Sequence, residues 1–382
     1  MNRNVITVKR AGRLIDWMAG ESLHAKRVQS VTNAVVGVVN AVSLSIHAIG
    51  AGLAQTSGLH TKHAIKQVDR LLSNPGFNVW TLFAHWVPYV VAASREIVVA
   101  LVWTDFDADG HSTIALSLVT AHGRATPLVW MSVKKAQLKG RRNRHEDTVL
   151  LRLHDVLPPG VKVTILADRG FGDHRLYALL ADLGFDFVIR FRGVVLVQSR
   201  DGEVRPAHAW VPPNGKTRQL KAARVTADRH PVDSVVCVKA RGMKDAWCLA
   251  VGGAHTGATA VKLYARRFTI EESFRDTKDP RYGLGLSATH VHDVRRRDRL
   301  LLICAMAMTL LTVLGAAGES LGMDRMLKAN TVKTRTHSLF RQGCHYYAAI
   351  PAMKQELLEP LVQRFGEFVL GQSVYVHAFG LK

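Results

Sequence analysis

Between residues 96 and 133 three apolar, β-branched runs follow one another with little chain between them: "IVVALVWTDF", "HSTIALSLVT" and "ATPLVWMSV". Val, Ile and Thr at this density suit a pleated sheet, because a branched Cβ is stiff against a helical turn. The joins "DADG" and "HGR" are short and turn-forming. The three runs are therefore predicted to form an antiparallel meander. Its first strand climbs into three acids, Asp105, Asp107 and Asp109, and a buried strand that ends in carboxylates is a common place to hold a metal ion.

The periodicity then changes. "RRNRHEDTVLLRLHDVL" (141–157) has helical spacing at Val149, Leu150, Leu153, Val156 and Leu157, and Pro158, Pro159 and Gly160 end it. "KVTILADRGFGD" is a short apolar strand that stops at Asp168. "HRLYALLADLG" is a helix ending at Gly184, and "DFVIRFR" is a strand. The order is βββαβαβ. Residues 192–255 read as short strands separated by Gly, Pro and Asp turns, an all-β insertion, and helices return from about 258. Residues 1–90 read as helical. In "HTKHAIKQVDRLLSN" an apolar stripe of Ala64, Val68, Leu71 and Leu72 leaves Lys62, Lys66 and Arg70 on other faces, as a solvated basic face or a DNA-contacting one.

Lys and Arg number 51 against 30 acids, a net charge of +21. Such an excess points to a polyanionic partner, because Lys and Arg replace the counterions condensed on phosphates. The tail "KANTVKTRTHSLFRQGCHYY" adds Lys328, Lys333, Arg335 and Arg341, with Tyr346 and Tyr347 interleaved, as candidates to grip a DNA backbone. The four cysteines form no CxxC pair, which argues against a structural zinc site and fits a reducing compartment. The basic N-terminus lacks the compact apolar core and cleavage site of a signal peptide. "LLLICAMAMTLLTVLGAAG" (300–318) is long enough to span a membrane but solitary and rich in Ala, Met and Thr, so a buried core helix is expected, and no membrane partner. Residues 32–52 are expected to form a small-residue packing helix in a bundle.

"LYARRFTIEESFRDTKDP" (263–280) carries the most chemistry. Read as one helix, Arg267, Glu271, Arg275 and Lys278 fall within about 60° of Tyr264, at about 100° per residue. Leu263, Ile270 and Phe274 lie on the adjoining, core-facing side, and Glu272 points elsewhere. One carboxylate among cations is an ordinary surface motif. It also has what phosphoryl transfer needs: a metal-binding acid, and cations to hold phosphates.

The spacing Tyr264-x2-Arg267-x3-Glu271-x6-Lys278 resembles the Tyr-Arg-Glu-Lys signature of bacterial DDE transposases of the insertion sequence 4 family. "ILADRGFGD" resembles the strand end holding that family's second catalytic Asp, and "TAHGRATPLVW" resembles a segment that recurs in it. The resemblance runs from about residue 96 to at least 350. It implies an α/β fold: an RNase H-like catalytic core, with an N-terminal helical domain, an all-β insertion before the catalytic Glu and a helical C-terminal region. The expected regions are a helical DNA-binding region (1–92), the first part of the core (93–191), the insertion (192–256), the helical part of the core (257–325) and a basic C-terminal region (326–382).

The resemblance also implies a mechanism. Asp168, Glu271 and an acid on the first strand would hold two Mg²⁺ ions, with Mn²⁺ as a substitute. Water would free a 3′-OH at the transposon end, and that hydroxyl would attack target DNA. Arg267 and Lys278 would hold phosphates, and Tyr264 the DNA backbone; Arg275 is a further DNA contact. A homodimer on DNA in the bacterial cytoplasm, associated with the nucleoid, is expected.

The first acid is missing. The family places it two residues before a Thr, and here Val102 precedes Trp103 and Thr104. Val binds no metal. Three readings stay open: Val102 marks a dead site; Asp105, or less readily Asp107, substitutes through a bulge or the strand end, since three residues on a side chain points to the opposite face; or the register is wrong. The non-enzymatic alternative is a protein that binds transposon ends without cutting them, or inhibits an active relative.

Overall fold

The computed structural model describes residues 11–12, 15–16, 23–281 and 283–370. The expected features before residue 11 and after 370 lie outside them. After the helical residues 11–12 and 15–16, the described chain continues through α1 (Ala25–Ala41), α2 (Ile46–Ser57), α3 (Thr61–Ser73) and α4 (Val79–Val91). The single helix expected over 32–52 is two. The chain breaks after α1, where Val42 adopts a left-handed conformation, and α2 leaves at 97°. Small residues make the corner close: a Cβ on Gly37 would stand 2.5 Å from the Ile49 carbonyl.

The meander forms as read: β1 (Glu96–Phe106), β2 (His111–Val119) and β3 (Ala125–Lys134) pair antiparallel. Helix α5 (Arg142–Val156) then carries the chain across to β4 (Lys162–Ala167), which lies parallel to β1 on its free edge. A parallel neighbour needs such a crossover, and α6 (His174–Asp182) provides the next one, to β5 (Asp186–Phe191). The insertion strands are β6 (Leu196–Gln198), β7 (Val204–Pro206), β8 (Arg218–Val225), β9 (His230–Val238) and β10 (Trp247–Gly252). They continue the same sheet, because β10 pairs antiparallel with β5; the order is β3-β2-β1-β4-β5-β10-β9-β8-β6-β7.

The two faces of β1 explain the layers. Ile97, Val99 and Leu101 face a core that also holds Phe83 of α4 and Val149, Leu150 and Leu153 of α5. Val98, Ala100 and Val102 face the other way, with Leu166 and Val188, toward α7 (Gly257–Arg266) and α8 (Thr269–Lys278). Trp103, on the α5 face, donates from Nε1 to Glu146 Oε1 at 2.8 Å.

Helix α9 (Val294–Ser320) is long and apolar enough to cross a membrane, but its most apolar stretch is wholly buried inside the protein. It packs on β3, α1, α10 (Leu339–Ala349) and α11 (Gln355–Leu370). Gly315 of α9 and Gly343 of α10 let the two backbones touch; a Cβ on either would run into the facing helix's carbonyl.

Candidate active site

The site is built where β1 and β4 end together. Their parallel ladder pairs Ala100 with Leu166 and Leu101 with Ala167. Continued one step beyond its last pair, that register sets Val102 next to Asp168, the first residue after β4. Asp168 caps the short helical turn that follows, its Oδ1 accepting from Gly170 N at 2.8 Å. That bond uses one carboxylate oxygen and fixes the side chain at the strand end.

The segment 263–280 is not one helix. α7 ends at Arg266 and α8 starts at Thr269. Between them Arg267 N bonds Tyr264 O, Ile270 N bonds Arg267 O and Glu271 N bonds Phe268 O, all three residues back. This tighter winding turns the chain further per residue than an α-helix does, so a uniform wheel loses phase across it. The expected stripe divides accordingly. Tyr264, expected at a DNA backbone, is 1% exposed and packs edge-on to Trp247 at 4.8 Å. Burial pushes its phenol pKa up, with Arg267 opposing.

Arg267 and Glu271 do meet. Arg267 is buried, its guanidinium over the rings of Tyr264 and Phe268 at 5.7 and 4.9 Å, and Nη2 donates to Glu271 Oε1 at 2.9 Å. Glu271 itself opens to solvent from the first turn of α8. Arg275 is exposed and pairs with Glu272 rather than with Glu271. Lys278 donates to the Asp105 carbonyl at 2.5 Å and lies 4.4 Å from the centre of the Phe106 ring. Burial pushes the Lys278 ammonium pKa down, against the raising effect of Asp105 and Asp107.

Asp105, the expected substitute, is engaged with β2 and Lys135. It pairs across the ladder with Ser112 on β2, two places after Trp103, and its carboxylate accepts from Ser112 Oγ and lies 3.0 Å from Lys135 Nζ. Burial pushes its pKa up, but the hydrogen bonds from Ser112 and Lys135 outweigh this and the net direction is down. No ladder shift separates residue 102 from 105, so strand phase turns Asp105 away from Asp168. Asp107 is also held by Lys135, and Asp109 is buried against Arg297.

The residue set therefore does not fit two ions bridged by three carboxylates. Val102 offers no ligand atom, and Arg267 occupies one oxygen of Glu271. Among the described residues no three His, Cys, Asp or Glu side chains are grouped to hold a metal ion.

The basic tail is drawn inward. Lys328 bonds Asp324 at 2.6 Å, Arg335 grips Glu319, and Arg341 bonds Asp276 of α8 at 3.0 Å. Tyr346 is buried, and Tyr347, half-buried, donates its hydroxyl to Asn40 of α1 at 2.6 Å. Lys333 is exposed. Sequence reading missed the joint that Asp276 makes: its other oxygen meets Arg124 Nε at 2.5 Å, tying the β2–β3 turn to α8 and α10. No spacing could reveal it, since the three residues are far apart in the chain.

No curated protein matches this sequence. Residues 131–310, from within β3 to within α9, match the family model of the transposase DDE domain, a domain of DNA transposition; the match spans Asp168 and Glu271 and begins after Val102.

Proposed function

We propose that this chain is a DDE-type DNA transposase relative, of the insertion sequence 4 kind, that retains DNA binding and has lost strand cleavage through Val102. The observation that carries the reading is the ladder register: Leu101 pairs with Ala167, so Val102 stands beside Asp168 where a first acid belongs. The strand order β3-β2-β1-β4-β5 with β1, β4 and β5 parallel is what an RNase H-like core would have, and supports it.

With a third carboxylate beside Asp168 and Glu271, such a site would hold Mg²⁺, which would supply the charge that phosphoryl transfer needs. This chain's own residues do less. Arg267, lying against the rings of Tyr264 and Phe268, holds Glu271, and Lys278 is tied to the end of β1 through the Asp105 carbonyl. Asp168 and Glu271 alone bring two negative charges with no third ligand to justify a second ion. DNA carrying transposon ends and target, a homodimer on DNA and a bacterial cytoplasmic location complete the proposal.

The test compares the protein with its Val102→Asp variant on DNA carrying the sequences that flank its coding region, with Mg²⁺ or Mn²⁺. Cleavage by the variant alone is the expected result, with a rate gain of about 10³-fold or more, since each ~1.4 kcal/mol of transition-state stabilisation is tenfold. Equal cleavage by both proteins would mean that another acid supplies the ligand. If neither cuts while both bind, the transposase reading of the site loses its basis.

A further inference from the structure

A reactive pair lies away from the ends of β1 and β4, in the insertion. The ladder between β9 and β10 sets Cys237 directly opposite Cys248. Both face the core that also holds Val197, Ala207 and Trp210, while Val236 and Leu249, next to them along the strands, face α7. Directly opposed residues of an antiparallel pair have Cα atoms about 4.5–5.5 Å apart, inside the roughly 4.4–6.8 Å that a disulfide spans. The other two cysteines have no such neighbour in the ladder, since Cys304 lies within α9 and Cys344 within α10.

The surroundings make the two thiols unequal. Cys237 donates to Cys248, and this bond, helped by Arg190, pulls the Cys248 thiol pKa down against the opposing effect of burial. The same bond pushes Cys237 up. The thiol held lower is the better attacker, since the thiolate is the reacting species. The pair is 0% and 2% exposed, but it stands one rung from the end of the ladder. Val238 pairs with Trp247, and residues 239–246 then form a mostly exposed turn. Fraying of that single rung opens a path for a small molecule.

We propose that Cys237 and Cys248 are a reversible redox site, which a hydroperoxide oxidises to a cross-strand disulfide. The Cys248 sulfur attacks one peroxide oxygen. An S–O bond forms, the O–O bond breaks, and the departing oxygen leaves as water with the thiol proton. The Cys237 sulfur then attacks Cys248. The S–S bond forms, the S–O bond breaks, and a second water leaves with the Cys237 proton. The two thiols lose two electrons and the peroxide gains them. A small-molecule dithiol reverses the change by exchange. In a reducing compartment the pair rests as thiols and responds when oxidant appears. The bond joins β9 to β10 beside Trp247, which packs edge-on to Tyr264, the ring against which Arg267 lies.

Peptide mapping of the full chain tests it. The native protein is treated with hydrogen peroxide, and the peroxide is removed with catalase. Remaining thiols are blocked with N-ethylmaleimide in denaturant, and the digest is read by mass spectrometry. The expected result is a peptide pair joined through Cys237 and Cys248, lighter by two hydrogens and separated by dithiothreitol, with Cys304 and Cys344 blocked. In Cys237→Ser, whose hydroxyl keeps the donor, dimedone should trap a sulfenic acid at Cys248. In Cys248→Ser, dimedone labelling of Cys237 should be about tenfold lower. The mapping of the unaltered chain needs neither variant to fold. If the treated native protein keeps all four thiols, if its cysteines go separately to sulfinic acids, or if the link reaches Cys304 or Cys344 instead, the proposal fails. If dimedone traps Cys237 rather than Cys248, the order of attack is overturned.

Discussion

The two basic regions of this chain look alike in sequence and behave differently in the fold. Lys62, Lys66 and Arg70 are spread over α3, and Lys328, Lys333, Arg335 and Arg341 over the tail. In the tail three of the four are matched by acids, Asp324, Glu319 and Asp276, and Lys333 is exposed. Where α3 faces the start of α1, His24, Lys26, Arg27, Lys66 and Arg70 line an open groove with no Asp or Glu in its wall, and Asp69 is bonded to Arg296 instead. Similar basic stretches thus mostly stitch helices together in one place and leave an uncompensated positive surface in the other. Long-range attraction for a polyanion comes from the second kind, since a paired cation has little field left to offer.

The largest test of this difference is at Asp276. It is almost wholly buried, and joins Arg124 and Arg341, which are themselves partly buried. Removing one partner from a buried ionic cluster leaves uncompensated charge in a poor solvent. Asp276→Ala should cost about 3–5 kcal/mol, read by urea denaturation. A loss under about 1 kcal/mol would mean that the tail's cations are not structural in the sense argued.

A second test uses pH. His122 lies in the β2–β3 turn beneath the tail, its carbonyl accepting from Leu339 N at 3.4 Å. Burial, and then the nearby charge of Arg335, push its pKa from 6.5 to about 3. The folded protein therefore keeps His122 neutral where the unfolded chain protonates it. Its contribution to stability is full above pH 6.5 and is lost as pH falls toward about 3. The slope is about 1.4 kcal/mol per pH unit within that window. His122→Asn should flatten the acid limb of the stability profile. An unchanged limb would place the acid sensitivity elsewhere.

What sequence could reveal follows from range. Strand and helix periods are local, so β1 to β5, α5 and α6 were legible, as was Asp168 at a strand end. That Leu101 and Ala167, the neighbours of Val102 and Asp168, are paired across parallel strands was not legible, because strand pairing is a tertiary choice. The break at Arg267–Phe268 was hidden because it needs no Gly or Pro: both residues keep right-handed helical dihedrals and only the hydrogen-bond step shortens. That is why Tyr264 went to the core while Glu271 stayed at the surface. Ion pairs such as Arg335–Glu319 were illegible because partner choice is made by tertiary packing. Lys26 and Arg27 went unnoticed because the groove joins two helices whose charges carry no shared period.

The smallest effect is the most discriminating between the two regions. Glu319 is gripped by Arg335, through Nε at 2.8 Å and through Nη2, and accepts from Gln342 at 2.7 Å. Burial raises its pKa, but these bonds outweigh that and the net direction is down. Glu319→Gln keeps the shape and removes the charge. Because the pair is partly exposed, stability should fall by only about 0.5–1 kcal/mol. Arg335 would then join the uncompensated cations, so duplex affinity at low salt should rise, by about twofold, with the salt slope steeper by up to about 1. A loss of affinity instead would mean that Arg335 already touches DNA while paired, and that the acids of the tail position its cations for binding rather than withdraw them from it.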